Sequence, residues 1–362
     1  MAYTTIDKPS DYFNTVTYVA NQTDNRQITV GFQPDWTWLK DRDQAVNHDL
    51  YDSVRGATKY ISSNKTNAEG TQTDGLKSFN STGFTLGTGW GNQSTGDDYV
   101  SWNWKAGTSF TNDASATGIG SIDSTGSVNT DAGFSVISYT GTGSAGTVAH
   151  GLGSELACYI IKQRNTTGGW IVYHKGNTSS PQTDYLRLDK TDATVDDAIF
   201  NDTAPTSSVF SIGTNAPVNT SGGTYIAYCF NDVQGYSKFG SYTGNNNADG
   251  PFVFTGFLPA FIMMKSTSTG GDNAYSWSMF DNKRSSYNIE RAMLKANLSD
   301  AEYTSGSNAD VDILSNGFKM RASPNETNGA NTYIYMAFAE SPFVTSSGVP
   351  TTARWLCSYL LT

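Results

Sequence analysis

The chain has 362 residues, of which 37% are hydrophobic, 13% aromatic and only 15% charged, with 36 glycines. At about 100–200 residues per domain this length corresponds to two or three domains, and so many aromatic side chains exclude a chain too polar to bury a core. The net charge of −10 opposes the clustered Lys and Arg that nucleic-acid binding draws on, no apolar run reaches the ~20 residues of a membrane span, and the opening Met1 to Lys8 lacks the apolar stretch of a signal peptide. The expectation is a soluble chain with no nucleic-acid partner and no membrane insertion.

Taken in order, the predicted elements recur. A strand and polar loop, Phe13 to Val30, lead into Gly31 to Lys40 (GFQPDWTWLK). The same run returns as Gly256 to Lys265 (GFLPAFIMMK), after Tyr236 to Thr255. A middle copy spans Gly151 to Lys162, with Leu156 where the others have proline, after Phe134 to His150. Alternating strands come next at His48 to Asp52, Trp170 to His174 and Trp277 to Asp281, and then Ser81 to Leu86, Ser208 to Ile212 and Ser315 to Met320. Each unit closes on an aromatic strand: Tyr99 to Trp104, Tyr225 to Phe230 and Tyr333 to Phe338. About seven short strands per ~100 residues, separated by Gly, Asn and Ser turns, is the pattern of an antiparallel sandwich.

The units are placed at residues 1–110, 133–233 and 234–343. Residues 111–132, rich in Gly, Ser, Thr and Asp, read as a linker, whereas units two and three adjoin at Val233 to Gly235 and are expected to pack more closely. Asn288 to Lys295 is a strand or at most one turn of helix, and Asp300 to Glu302 a further short turn. The tail, residues 344–362, joins a polar spacer to an apolar end, with Trp355, Leu356, Tyr359, Leu360 and Leu361 expected to dock on the third sandwich, on a sister subunit or on a partner protein.

The runs Tyr225 to Phe230, Gly235 to Gly244, Gly256 to Lys265 and Leu50 to Ala57 resemble a family of repeat-containing virion proteins from phages of marine bacteria, including cyanobacteria. The similarity covers all three units. It implies a concanavalin A-like, lectin-type β-sandwich used in tail fibres and other particle appendages, and it brings no catalytic or ligand residues with it. The expected fold is therefore all-β: three tandem antiparallel β-sandwich units, of concanavalin A-like or jelly-roll type, with little helix. The expected role is a structural appendage on the exterior of the virion, such as a tail fibre or similar adhesin, contacting other virion proteins and a host-surface glycan or protein, and assembling as a homo-oligomer. A capsid decoration or tail architectural protein binding only virion partners is the alternative, and a polysaccharide hydrolase a distant third.

Little in the sequence carries chemistry. Gly141 to Gly146 spells a dinucleotide-binding run, but Thr147 to Gly153 behind it cannot open a helix, so it reads as a hairpin turn. None of the six glutamates pairs with another acid at the i, i+2 spacing that puts two carboxylates on one strand face, as a glycosidase would need. Cys158, Cys229 and Cys357 are too scattered for disulfides or a metal site, and no cofactor, metal or catalytic residue is expected. His174 stands where the other units have Asp52 and Asp281, and Lys40, Lys162 and Lys265 recur at one strand end as solvated or hydrogen-bonded structural residues. Most tryptophans fall on strands and belong to the core. Trp90 lies instead in a glycine-rich loop and, with Asn92, Asp97 and Asp98, forms the candidate ligand-binding set.

Overall fold

The computed structural model describes residues 2–285, 288–304 and 310–351. Its architecture is all-β, and each sandwich sets a large antiparallel sheet against a small one. In the first unit the large sheet runs Phe13–Val19, Asp98–Trp104, Trp36–Asp41, Asp49–Asp52, Lys59–Ile61 and Gly70–Thr71, faced by Arg26–Thr29, Gly83–Leu86 and Leu76–Asn80. The second repeats the first five positions as Phe134–Thr140, Thr224–Phe230, Cys158–Gln163, Trp170–His174 and Asp184–Arg187. The third repeats them as Ser237–Thr243, Thr332–Pro342, Phe257–Ser266, Ser278–Asp281 and Leu294–Lys295.

Side chains alternate between the two faces of a strand, yet Trp36–Asp41, Cys158–Gln163 and Phe257–Ser266 are buried along their whole length. Both faces of each large sheet are covered. One face meets the unit's own small sheet, through Leu39, Tyr51 and Phe84 in the first unit, Ile161, Tyr173 and Phe210 in the second, and Met264, Phe280 and Phe318 in the third. The opposite faces of all three sheets meet in one shared core. There Trp36 stacks on Tyr228 at 4.3 Å and on Trp104 at 4.4 Å, Trp104 packs edge-on against Phe338 at 5.6 Å, and Phe230 meets Phe338 at 5.9 Å. Every unit touches the other two.

Polar contacts close this ring in the same sense three times. Trp170 Nε1 donates to Ser62 O at 3.0 Å, Trp277 Nε1 donates to Arg187 O at 2.8 Å, and His48 Nε2 lies 3.1 Å from Lys295 O. A backbone bond accompanies each: Glu69 N to Arg164 O (2.7 Å), Thr194 N to Thr267 O (2.9 Å) and Glu302 N to Arg42 O (2.7 Å). Two interfaces are ionic. Tyr228 donates its hydroxyl to Asp52 at 2.7 Å, Asp52 holds Arg55, and Arg55 and Arg164 share Glu69. Likewise Trp102 Nε1 donates to Asp281 at 2.9 Å, Asp281 holds Arg284, and Arg284 and Arg42 share Glu302.

At the third interface Met336 occupies the register position of Tyr228 and Trp102 and has no proton to donate. There His174 and Asn177 replace the acid and the arginine. His174 Nε2 sits 3.0 Å from Tyr335 O, and Asn177 accepts from Thr194. Burial pushes the His174 pKa down to about 4, which keeps the ring neutral. A buried carboxylate facing Met336 would lack its donor, and an uncompensated buried charge is costly.

Several expectations need correction. Residues 111–132 are not a linker: Thr108–Asn112 and Ser124–Asn129 pair as two further strands on the second unit's sheet, with the short helix Ala114–Thr117 between them. Strand-forming Ser and Thr at alternate positions look like linker composition when few apolar side chains accompany them. The first unit consequently ends before Thr108, and its contact with the second is as intimate as any other, since Asp35 accepts from Ser127 at 3.0 Å and Trp36 stacks on Tyr228. Asp300 to Glu302 forms no turn, Glu302 N being bonded to Arg42 O, and Gly141 to Gly146 crosses between sheets instead of closing a hairpin. The polar start of the tail folds back, with Thr345 N bonded to Val349 O and Thr351 N to Phe343 O. Trp355, Leu356, Tyr359, Leu360, Leu361 and Cys357 lie outside the described residues.

Because one core serves three sheets, the chain is expected to melt in a single transition. Trp36→Ala, which empties a site shared by two units, should cost about 3–5 kcal/mol and shift the whole transition in calorimetry. Separate melting of a wild-type unit, or failure of residues 234–343 to expose apolar surface when expressed alone, would contradict a shared core.

Candidate functional site

The three units are alike enough that equivalent residues can be compared within one chain. Lys40, Lys162 and Lys265 are at most 1% exposed and are not solvated. Each Nζ donates to the carbonyl of its own successor, at 2.6 Å for Asp41, 2.7 Å for Gln163 and 2.6 Å for Ser266. The second acceptor differs. Lys162 and Lys265 reach into the preceding unit, to Thr66 O and Thr191 O at 3.3 Å, whereas Lys40 turns back to Gln44 O in its own loop at 2.9 Å. Ser299, four residues past Lys295 as Thr66 is past Ser62 and Thr191 past Arg187, is left facing a cleft.

This cleft encloses about 390 Å³ and is lined by Leu39, Lys40, Asp41, Asn47, Asp49, Lys65, Trp90, Gln93, Tyr99 and Ser299, among others. Its volume falls in the range of roughly 300–1,000 Å³ usual for small-molecule pockets. Asp41 and Asp49 come from the two ends of one hairpin, the end of Trp36–Asp41 and the start of Asp49–Asp52. Burial raises both carboxyls, Asp49 to about 7, although Lys40 and the Ser62 hydroxyl partly offset the effect at Asp49. Burial also lowers the Lys40 amine to about 8.

A second departure concerns the closing-strand tyrosines. Tyr225 and Tyr333 accept from Thr220 N and Gly329 N and donate to Ala216 O and Asn325 O, all at 2.7–2.9 Å. Tyr99 turns to the cleft instead. Its hydroxyl and Asp41 Oδ2 lie close enough to influence each other's ionisation, yet neither makes a hydrogen bond of ordinary geometry.

The structure separates the four loop residues chosen from sequence. Trp90 is half-buried on the cleft wall, held edge-on to Tyr60 at 4.5 Å. Gly91, at φ +89°, then turns the chain so that Asn92 points inward. Asn92 is fully buried: it accepts from Asn21 N and Arg26 at 3.0 Å and donates to Thr23 O and Gly87 O, so it has no free group for a ligand. Asn219 and Asn328 lock the corresponding loops in the same way. Asp98 is engaged by Arg42 at 3.3 Å and belongs to the ionic interface, and Asp97 lies near Asp41 without entering the lining. Sequence reading missed Asp41, Asp49 and Tyr99. Within-strand spacing could not bring together acids from two ends of a hairpin, although the oddity of Asp49 beside Ile171 and Ser278 in the other units was visible.

Residues 8–342 match a family described as a domain of unknown function, DUF7483. The chain belongs to the DUF7483 family. The matched span takes in all three sandwiches, in keeping with a DUF7483 domain that is the closed ring and not one repeat. No curated protein matches the chain. Among the described residues of this DUF7483 member no group of three or more His, Cys, Asp or Glu is placed to hold a metal ion.

The buried lysines make a pH dependence. All three have pKa values near 8 in the fold against 10.5 without burial, so between those values the unfolded chain binds more protons and stability rises with pH. Melting temperature should climb from pH 8 to pH 10, and Lys162→Met should flatten the climb by about one third of this lysine contribution. A profile in Lys162→Met as steep as in the wild type would show that Lys162 stays charged in the fold.

Proposed function

We propose that the chain is a structural protein of a phage particle, an exterior appendage that contacts the host surface. Three sandwiches locked around one core make a body whose strands are committed inward and whose turns face outward, and this closed ring is the observation that best supports the reading. Loops on such a scaffold can carry contacts without altering the fold, and the sequence resemblance of all three units to virion proteins supplies the setting. Binding, and not cleavage, is the proposed activity.

A second reading, contact with another virion protein or a further copy of the chain, is favoured by the third unit's small sheet. Phe252 and Phe254 are 46% and 49% exposed there, at register positions held by Gln27 and Thr29 in the first unit and Thr147 and Ala149 in the second. An exposed aromatic pair on one sheet face is a usual mark of a protein contact.

Immunogold labelling of intact particles should place the protein on the exterior, and particles free of it would refute the appendage role. Incubated with host exopolysaccharide, the protein should leave chain length unchanged; shortening abolished by Asp41→Asn or Asp49→Asn would make it a hydrolase.

A further inference from the structure

We infer that the cleft between Trp90 and the hairpin of Asp41 and Asp49 binds one uncharged, hydroxyl-rich ring, a glycosyl residue, with Trp90 as its stacking face. This deepens the host-contact reading and rests on it only for where the sugar comes from.

Three observations converge. First, the cleft exists because one of three equivalent interfaces departs from the others: Lys40 bonds its own loop, and the carbonyl-bearing segment at Ser299 stands off where Thr66 and Thr191 close the gap. Second, the Tyr99 hydroxyl lacks the backbone partners that Tyr225 and Tyr333 have, and it faces Asp41 at the cleft instead. Asp41 is 1% and Tyr99 2% exposed, Asp41 Oδ2 and the Tyr99 hydroxyl make no hydrogen bond of ordinary geometry, and Asp49 Oδ1 is in the same state. Buried polar groups are normally paired, so such a set awaits a ligand or water. Third, Trp90 adds an aromatic wall, which Gly91 presents by turning the backbone away behind it.

The chemistry of the lining selects the ligand. Lys40 and Lys65 face Asp41 and Asp49 across the lining, so the cleft presents both signs of charge together and no single-sign patch to draw in a phosphate or a polyamine. Carboxylate acceptors, amine donors and the amides of Asn47 and Gln93 instead match hydroxyls, each of which both donates and accepts. A pyranose has, in addition, an apolar C–H face suited to an aromatic platform.

Titration followed by tryptophan fluorescence and indole NMR tests the inference, with maltotriose, cellotriose, laminaritriose and mannotriose as neutral probes, and inorganic phosphate and spermidine as charged ones. At least one trisaccharide should saturate and shift a single indole signal, while phosphate and spermidine should do neither. Trp90→Ala should weaken binding by about tenfold, the loss of some 1.4 kcal/mol. Because Trp90 also packs on Tyr60, Ala45→Trp provides a second variant: Ala45 is exposed on the cleft wall, and a bulky ring there blocks the mouth without removing a core contact. Failure of every neutral trisaccharide to saturate, binding unchanged in both variants, or saturation by a charged probe alone would each overturn the inference. Saccharide binding by a protein that immunogold fails to find on particles would leave this site standing and remove the appendage role; exterior label with no saccharide binding would do the reverse.

Discussion

The structure depends on a single packing constraint: the large sheet of each sandwich has two apolar faces and only one small sheet to cover them. Alone, the first unit would expose Trp36, Trp38, Trp102 and Trp104, all at most 1% exposed in the ring. Burying one such side chain contributes very roughly 1.5–3 kcal/mol, so a separated unit would lose an amount comparable to the whole net stability of a typical domain. Three copies solve the problem by presenting the same strand faces to one another. Aromatic side chains suit this meeting point because stacked, tilted and edge-on contacts at 4.3–6.4 Å join three sheets that cannot all lie parallel.

Around that apolar centre the polar contacts set the order in which the units close. Each ionic chain runs from an Asp-x-x-Arg turn, through a glutamate of the same unit, to an arginine of the next, and each aspartate also accepts a hydrogen bond from an aromatic side chain across the interface. Position by position, the neutral interface changes together: Met for the ring donor, His174 for the acid, Asn177 for the arginine, Thr194 for the glutamate, Thr267 for the second arginine. One altered member would strand its neighbours in a dry site, which explains why the histidine at 174, an exception among the three units, is part of a set.

Strand order, the number of repeats and the core role of the strand tryptophans were legible in the sequence because alternation and turn residues are local signals. The shared core was not. A wholly apolar strand such as Phe257 to Met264 is consistent with burial on both faces, but sequence does not say whether the second cover is a helix, a copy of the chain or another repeat. The segment of residues 111–132 escapes sequence reading for a related reason: it contributes to the last two strands at one side of the sheet, where the exposed positions are Ser and Thr, so composition resembles a spacer although both strands are paired. At the site, Trp90 stood out because glycine-rich loops seldom bury tryptophan, whereas Asn92 is similar in sequence setting and differs only in having its hydrogen bonds met from four directions.

Repetition also changes what an irregularity means. In an isolated domain, a buried lysine bonded to two carbonyls or a tyrosine hydroxyl with no backbone partner has no standard for comparison. Here the same lysine and the same tyrosine occur twice more under the same folding constraint, and both other copies complete their bonds. Folding alone thus has a solution for these positions, demonstrated twice in the same chain, and the first unit does not use it. The acid at Asp49, where Ile171 and Ser278 suffice elsewhere, adds a buried carboxyl that costs stability. A ring held rigid on all sides can tolerate that cost at one interface, and the same rigidity keeps Asp41, Asp49, Tyr99 and Trp90 at fixed separations around the cleft, which is what selective recognition of a small rigid ring requires.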